Sequence, residues 1–266
     1  MSLTKRSGEK SLSNDRTDGL LETSRQRLLR LIGVILFSVG LWVGMVVVGG
    51  AIYADFEAML SNISVNSDQV IRPISCPILM FVDETGDVSS VIRNSTELPL
   101  NSVVQMQIQQ GYLSYSIGNK ERLELPAHES KRFDWTIIAD QAASGLMLVK
   151  VMSLASGDAT HKGSCGIIVL NIPAKLGGYQ LYLVLSALSF LLMLIGLRLW
   201  QIFGRFAPGR YIETTQAFVG LMVVVLLGML FTLVGIWEIS AVFFYISLLM
   251  VGVIVPHLMI SRQRGS

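Results

Sequence analysis

Two cysteines, three histidines and scattered carboxylates are the groups this 266-residue chain offers for chemistry. Cys76 and Cys165 cannot form a four-ligand zinc site or a CxxC redox pair, being only two and far apart. Their use therefore depends on the compartment they reach. His128 and His161 fall in polar turns, and His257 follows Pro256 near the end of an apolar run; no pair has metal-ligand spacing. Glu238 is the acid between the last two apolar runs, and a two-residue turn, Trp237-Glu238, accounts for it. No GxxxxGK[ST] phosphate loop, HExxH pair, GxSxG elbow or GxGxxG turn occurs. No catalytic residue, cofactor or metal is expected, and the chain reads as a non-enzyme.

The elements around these groups follow from composition. Hydrophobic residues make up 52% and charged residues 15%, a charge content too low to cover the surface of a soluble domain. The excess is clustered in four runs, 31–52, 179–197, 217–236 and 239–260, none with Asp, Glu, Lys or Arg. Each is long enough to cross a hydrocarbon core as a helix. A net charge of +2 without an internal basic patch gives no footprint for nucleic acid. The partners expected are the lipid bilayer and either another membrane protein or a second copy of the chain.

Arginines beside the runs set the orientation. Arg25, Arg27 and Arg30 precede the first, Arg198, Arg205 and Arg210 lie between the second and third, and Arg262 and Arg264 follow the fourth. The positive-inside rule places all three clusters in the cytoplasm, so both termini are inside and 53–178 is outside. The long polar leader and the 22-residue first run predict a retained anchor, despite the small residues Gly49-Gly50-Ala51. Residues 1–30 are expected to be a disordered tail ending in a basic juxtamembrane helix, 198–216 a cytoplasmic loop and 261–266 a short tail. On the outer, oxidising side, Cys76 and Cys165 are expected to pair as a disulfide closing a loop of about 90 residues.

Residues 53–178 change period. Met106 and Ile108 alternate with glutamines, Leu113, Tyr115 and Ile117 with serines, and Phe133, Trp135 and Ile137 with Asp134 and Thr136. Period two predicts half-buried strands. Further strands are expected at 78–82, 88–93, 122–125, 146–154 and 166–172, with turns at 84–87, 118–120, 126–129 and 156–158. Eight short strands in about 100 residues predict an antiparallel sandwich. Asn62-Ile63-Ser64 and Asn94-Ser95-Thr96 are glycosylation sequons on the same side. Among the spans, Gly40 and Gly44 form a GxxxG pair, and Gly220, Gly228 and Gly235 recur at about one heptad, as helix-packing seams do.

The cadence Cys76-Pro77-Ile78-Leu79-Met80, Val91-Ile92-Arg93-Asn94-Ser95, Leu123-Glu124-Leu125-Pro126-Ala127-His128-Glu129-Ser130 and Phe133-Asp134-Trp135 resembles immunoglobulin-like extracellular domains. It departs from antibody domains in the late position of Trp135 and in cysteines near the domain ends. The fold expected is a four-helix membrane protein with an all-β immunoglobulin-like sandwich outside. An accessory, assembly or sensory subunit of a membrane complex fits this layout. The alternative is a permease-like transmission subunit: one span, an outer domain and three spans is similar to the cell-division and macrolide-exporter ABC systems. The short second cytoplasmic loop, 203–216, and the near-absent final outer loop depart from that pattern.

Overall fold

The computed structural model describes residues 6–61, 69–70, 74–110, 113–115, 120–139, 145–155, 158–172, 176–203 and 211–263. Among the described residues a long helix, α1 (Arg6–Ser61), is followed by ten strands and three helices. The strands are β1 (Gln69–Val70), β2 (Ile74–Ser75), β3 (Leu79–Phe81), β4 (Thr85–Arg93), β5 (Leu100–Gln110), β6 (Leu113–Tyr115), β7 (Glu121–Leu125), β8 (Ser130–Ile138), β9 (Leu146–Ala155) and β10 (Asp158–Leu170). The helices are α2 (Gly178–Phe203), α3 (Tyr211–Val234) and α4 (Trp237–Gln263).

Alternation works as it should in β8, where Phe133, Trp135 and Ile137 are buried and Arg132, Asp134 and Thr136 are exposed. The same period buries Val88, Ser90 and Ile92 in β4 and Leu123 and Leu125 in β7. The strands form two sheets. One has the order β2-β4-β8; in the other, β10 pairs with β9, β9 with β5, and β5 with β6 and β7. These pairings are antiparallel, whereas β1 and β3 join the free edge of β10 in parallel. Both sheets feed one core, with Val88, Phe133 and Trp135 from the first and Val104, Leu123, Val149 and Ile167 from the second.

Two strands begin earlier than in the sequence reading. Thr85, Gly86 and Asp87 belong to β4, and the preceding turn lies at Val82-Asp83, where Asp83 has φ 67°. Gly86 is in the strand for want of room: a Cβ there would come 2.8 Å from Pro77 Cγ and 2.9 Å from Met80 Cε. β10 begins at Asp158, eight residues earlier than the apolar pattern indicates, because its polar first half is carried by backbone pairing with β9 from Asp158↔Ala155 through Ser164↔Lys150. Cys165 therefore sits inside the strand instead of at its start. It is bonded to Cys76, with a Cα–Cα distance of 6.4 Å.

The helices also run longer than the apolar runs. α1 starts at Arg6, where disorder is expected, since adding turns to an existing helix avoids the cost of nucleation. It also continues past residue 52 to Ser61, because Ala54 and Ala58 turn a fully buried face inward. Among the described residues four helices are long and apolar enough to cross a membrane by length and composition: Ser24–Ser61, Gly178–Phe203, Thr215–Val234 and Trp237–Ile254. Between α3 and α4 the break is Gly235-Ile236, and Trp237 and Glu238 open α4. Gly235 has φ 77°, its N–H donates to Thr232 O (3.0 Å), and the Ile236 N–H donates to Phe231 O (3.0 Å). This is a Schellman cap, so Gly235 ends a helix instead of lining a packing seam.

The chain divides into two compact units, and the division crosses all four helices. The first comprises Met1–Val43, Ala187–Val223 and Leu249–Ser266. In it α1 crosses α2 backbone to backbone: a Cβ at Gly196 would lie 2.5 Å from Phe37 N, and one at Gly40 would lie 2.8 Å from Ser189 O. Ser189 Oγ donates to Gly40 O at 2.7 Å, and the Phe37 ring packs tilted against Phe218 with centroids 4.8 Å apart. The second unit comprises Gly44–Ser186 and Val224–Leu248, which includes both sheets.

Candidate functional site

In the second unit the sheets are joined directly to helix ends. On the edge of β10, β1 pairs at His161-Lys162 and β3 at Ile168–Leu170. Among the described residues the stretch between them has no ladder partner on that edge, and α1 fills it. Gly166 N–H donates to Asp55 Oδ1 at 3.0 Å. The approach is so close that a Cβ on Gly166 would lie 2.0 Å from Ala54 O and 2.2 Å from Ala54 C. Only glycine fits here, and the reason is space. At the last turn of α1 the Lys150 ammonium donates to Ser61 O, which places a cation on the negative end of the helix. Burial lowers the Lys150 pKa below the ordinary lysine value.

α2 is fastened from the other side. Glu84, just before β4, accepts the Gly178 N–H at 2.9 and 3.0 Å and the Phe81 N–H at 2.7 Å. A carboxylate at a helix N-terminus satisfies an orphan donor and faces the positive end of the dipole. Gly178 is as tightly placed as Gly166, since a Cβ would lie 2.0 Å from Leu79 O. Further along, Tyr182 Oη donates to Met229 O (3.2 Å), while Ser240 and Thr232 share Gly228 O as acceptor and touch each other. Polar bonds thus join α1 and α2 to the sheets and α2, α3 and α4 to one another, with the Cys76–Cys165 bridge in the same unit.

The residues singled out from sequence are spread over the structure. Cys165 is buried and Cys76 half-buried against the core. Gly40 is packed as described; Gly44 is buried. A Cβ at Gly220 would lie 3.4 Å from Met250 Cε, and one at Gly228 would lie 3.6 Å from Val48 Cγ1. Gly33 and Gly196, which share the α1–α2 crossing, escaped the spacing argument because each meets its partner on another helix. Arg25, Arg27 and Arg198 are exposed, and Arg30 is half-buried. Arg205, Arg210 and Arg264 lie outside the described residues, as do the side chains of Arg262, His161 and His257. His128 pairs with exposed Glu97 at 3.1 Å. Among the described residues no His, Cys, Asp and Glu cluster could hold a metal.

Asn94 has a structural task that its sequon conceals. It is buried, and the two hydrogens of its amide nitrogen are shared among Leu98 O (2.8 Å), Leu125 O (3.1 Å) and Pro126 O (3.0 Å). Its Oδ1 accepts from Thr96 N and Thr96 Oγ1. Asn94→Ala should cost about 2–3 kcal/mol through the buried carbonyls left unpaired. In a glycosylating host the folded protein should carry no glycan at Asn94, and an N-glycosidase-sensitive mobility shift lost in the Asn94→Gln variant would contradict this. Asn62 lies outside the described residues.

No family model and no curated protein matches the sequence. Solved structures with partial likeness include the CARDB domain of a Pyrococcus furiosus protein in complex with di-metal ions, at 12% identity and TM-score 0.30, covering 37% of this chain and 90% of that one. A Paenibacillus cycloisomaltooligosaccharide glucanotransferase is 12% identical with TM-score 0.32, covering 38% of this chain and 14% of the enzyme. The Pseudomonas fluorescens alkylpurine DNA glycosylase AlkC is 14% identical with TM-score 0.31, covering 42% and 33%. The chain thus matches only a small part of either enzyme, and likenesses at these scores carry no statement about ligand or activity.

Proposed function

We propose that this chain is a non-enzymatic, multi-pass membrane protein that displays an immunoglobulin-like sandwich outside the cell and serves as an accessory, assembly or sensory subunit of a membrane complex. In this reading both termini are cytoplasmic, residues 53–178 are extracytoplasmic, and the sandwich binds a partner whose presence is passed to the helices. The observation that carries the proposal is the course of the division between compact units. It runs across the helices, so that the sheets and the adjoining helical segments belong to one compact unit. A module merely displayed on a tether needs no such construction, whereas one that passes force or position to the spans does.

Two further features support the reading. Helix surfaces are apolar and open, with Trp42 73%, Leu249 70% and Val253 70% exposed, as suits lipid contact. Taken in chain order, β2, β4 and β8 correspond to strands A, B and E, and β5, β7, β9 and β10 to C, C′, F and G. With that lettering B and E share one sheet and C, F and G the other, which supports the reading of an immunoglobulin-type sandwich. Purification in several mild detergents should recover the chain with another membrane protein or as a defined oligomer. Recovery as a lone monomer in all of them counts against a subunit role. Recovery of an ATPase bound through residues 203–216 would favour the permease-like alternative.

A further inference from the structure

The inner ends of the spans carry a chemical bias that topology alone does not require. The positive-inside rule is met by lysine or arginine alike, yet all eight cations flanking the cytoplasmic span ends, at 25, 27, 30, 198, 205, 210, 262 and 264, are arginine. Arginine differs from lysine in having a planar fork of donors that fits phosphate and a flat face that stacks on aromatic rings. The described structure shows such a stack. The Arg30 guanidinium lies 5.7 Å from the Trp200 ring centroid. Arg30 is the residue before the first apolar run and Trp200 is three residues past the end of the second, so each marks the same boundary.

The indole is held by its faces. Its Nε1 is buried without a hydrogen-bond partner among the described residues, while its ring meets Phe218 edge-on at 5.7 Å. Phe218 in turn packs on Phe37. This aromatic column props the guanidinium at the boundary. Among the described residues no carboxylate lies within ion-pair distance of Arg30, and Arg27, three residues earlier on the same helix face, is exposed. A stacked guanidinium keeps its donor edges available for an anion.

We propose that Arg30, stacked on Trp200, and Arg27 bind the phosphate of an anionic lipid headgroup in the inner leaflet. This inference rests on the membrane orientation of the preceding subsection. The test uses the full chain in neutral-detergent micelles, with phosphatidylglycerol or phosphatidylcholine added and retained lipid read by native mass spectrometry. Phosphatidylglycerol should be preferred. Arg30→Gln should reduce the preference about five-fold, as expected for one cation at a membrane surface, and Trp200→Leu, which keeps the charge, about two-fold. Arg30→Lys should not restore it fully, and Arg93→Gln, on β4, should leave it unchanged. Equal retention of the two lipids, or an Arg30→Gln variant indistinguishable from the parent, overturns the inference. Competition by inorganic phosphate at concentrations similar to the lipid overturns the lipid assignment in favour of a soluble anion. Alkaline extraction of membranes separates the two claims. A chain that stays in the membrane but shows no lipid preference defeats only the headgroup site, and one that is washed out defeats the membrane reading as well.

Discussion

Gly166→Ala is expected to destabilise the protein by about 3–5 kcal/mol, far more than an added methyl usually costs. The new Cβ would stand 2.0 Å from Ala54 O, and backbone cannot turn aside as a side chain can. Either α1 moves off β10 or the strand buckles, and the Asp55–Gly166 hydrogen bond is lost in both cases. Gly220→Ala is the matched control. Its Cβ meets only a flexible methionine methyl at 3.4 Å, and alanine favours helix over glycine by about 1 kcal/mol, so stability should hold or rise. The comparison is made by thermal or denaturant unfolding of both variants in one detergent. Equal behaviour of the two would show that α1 is not seated on the strand.

The second large effect is loss of the disulfide. The bridge spans 89 residues, and in the chain-entropy description its removal costs about 4–5 kcal/mol. Cys165 also belongs to the common core, so Cys76→Ala with Cys165→Ala adds a small packing loss. The double variant and the reduced parent should unfold at similarly lowered denaturant concentrations. A parent whose transition is unmoved by reductant would contradict a stabilising bridge.

What could be read from residues alone divides along a physical line. Features carried by side-chain period were legible: four charge-free runs, and the alternation that buries Phe133, Trp135 and Ile137. The cysteine pairing was legible because only one partner exists. Features carried by the lack of a side chain were not. Gly166 and Gly178 look like ordinary strand and loop glycines until the backbones of Ala54 and Leu79 arrive beside them. Gly235 fitted a heptad seam and instead has φ 77°, because spacing cannot distinguish a packing glycine from a capping one. Gly86 read as turn for a similar reason. The polar half of β10 has no apolar signal, since its partner supplies backbone pairing, and α1 beyond residue 52 contains Asp55 and Glu57, which disguise the buried Ala54 and Ala58. The helix–sheet junction, the heart of the candidate site, was therefore invisible in sequence although both of its sides were identified.

The central claim is that the two sheets and the adjoining helix ends form one body. Pulsed electron–electron resonance between spin labels at Met59 on α1 and Arg132 on β8, in lipid nanodiscs, tests it directly. Both positions are exposed, and the native cysteines, joined to each other, take no label. A single narrow distance distribution is the result this account predicts; a broad one, as from a domain moving on flexible linkers, would contradict it.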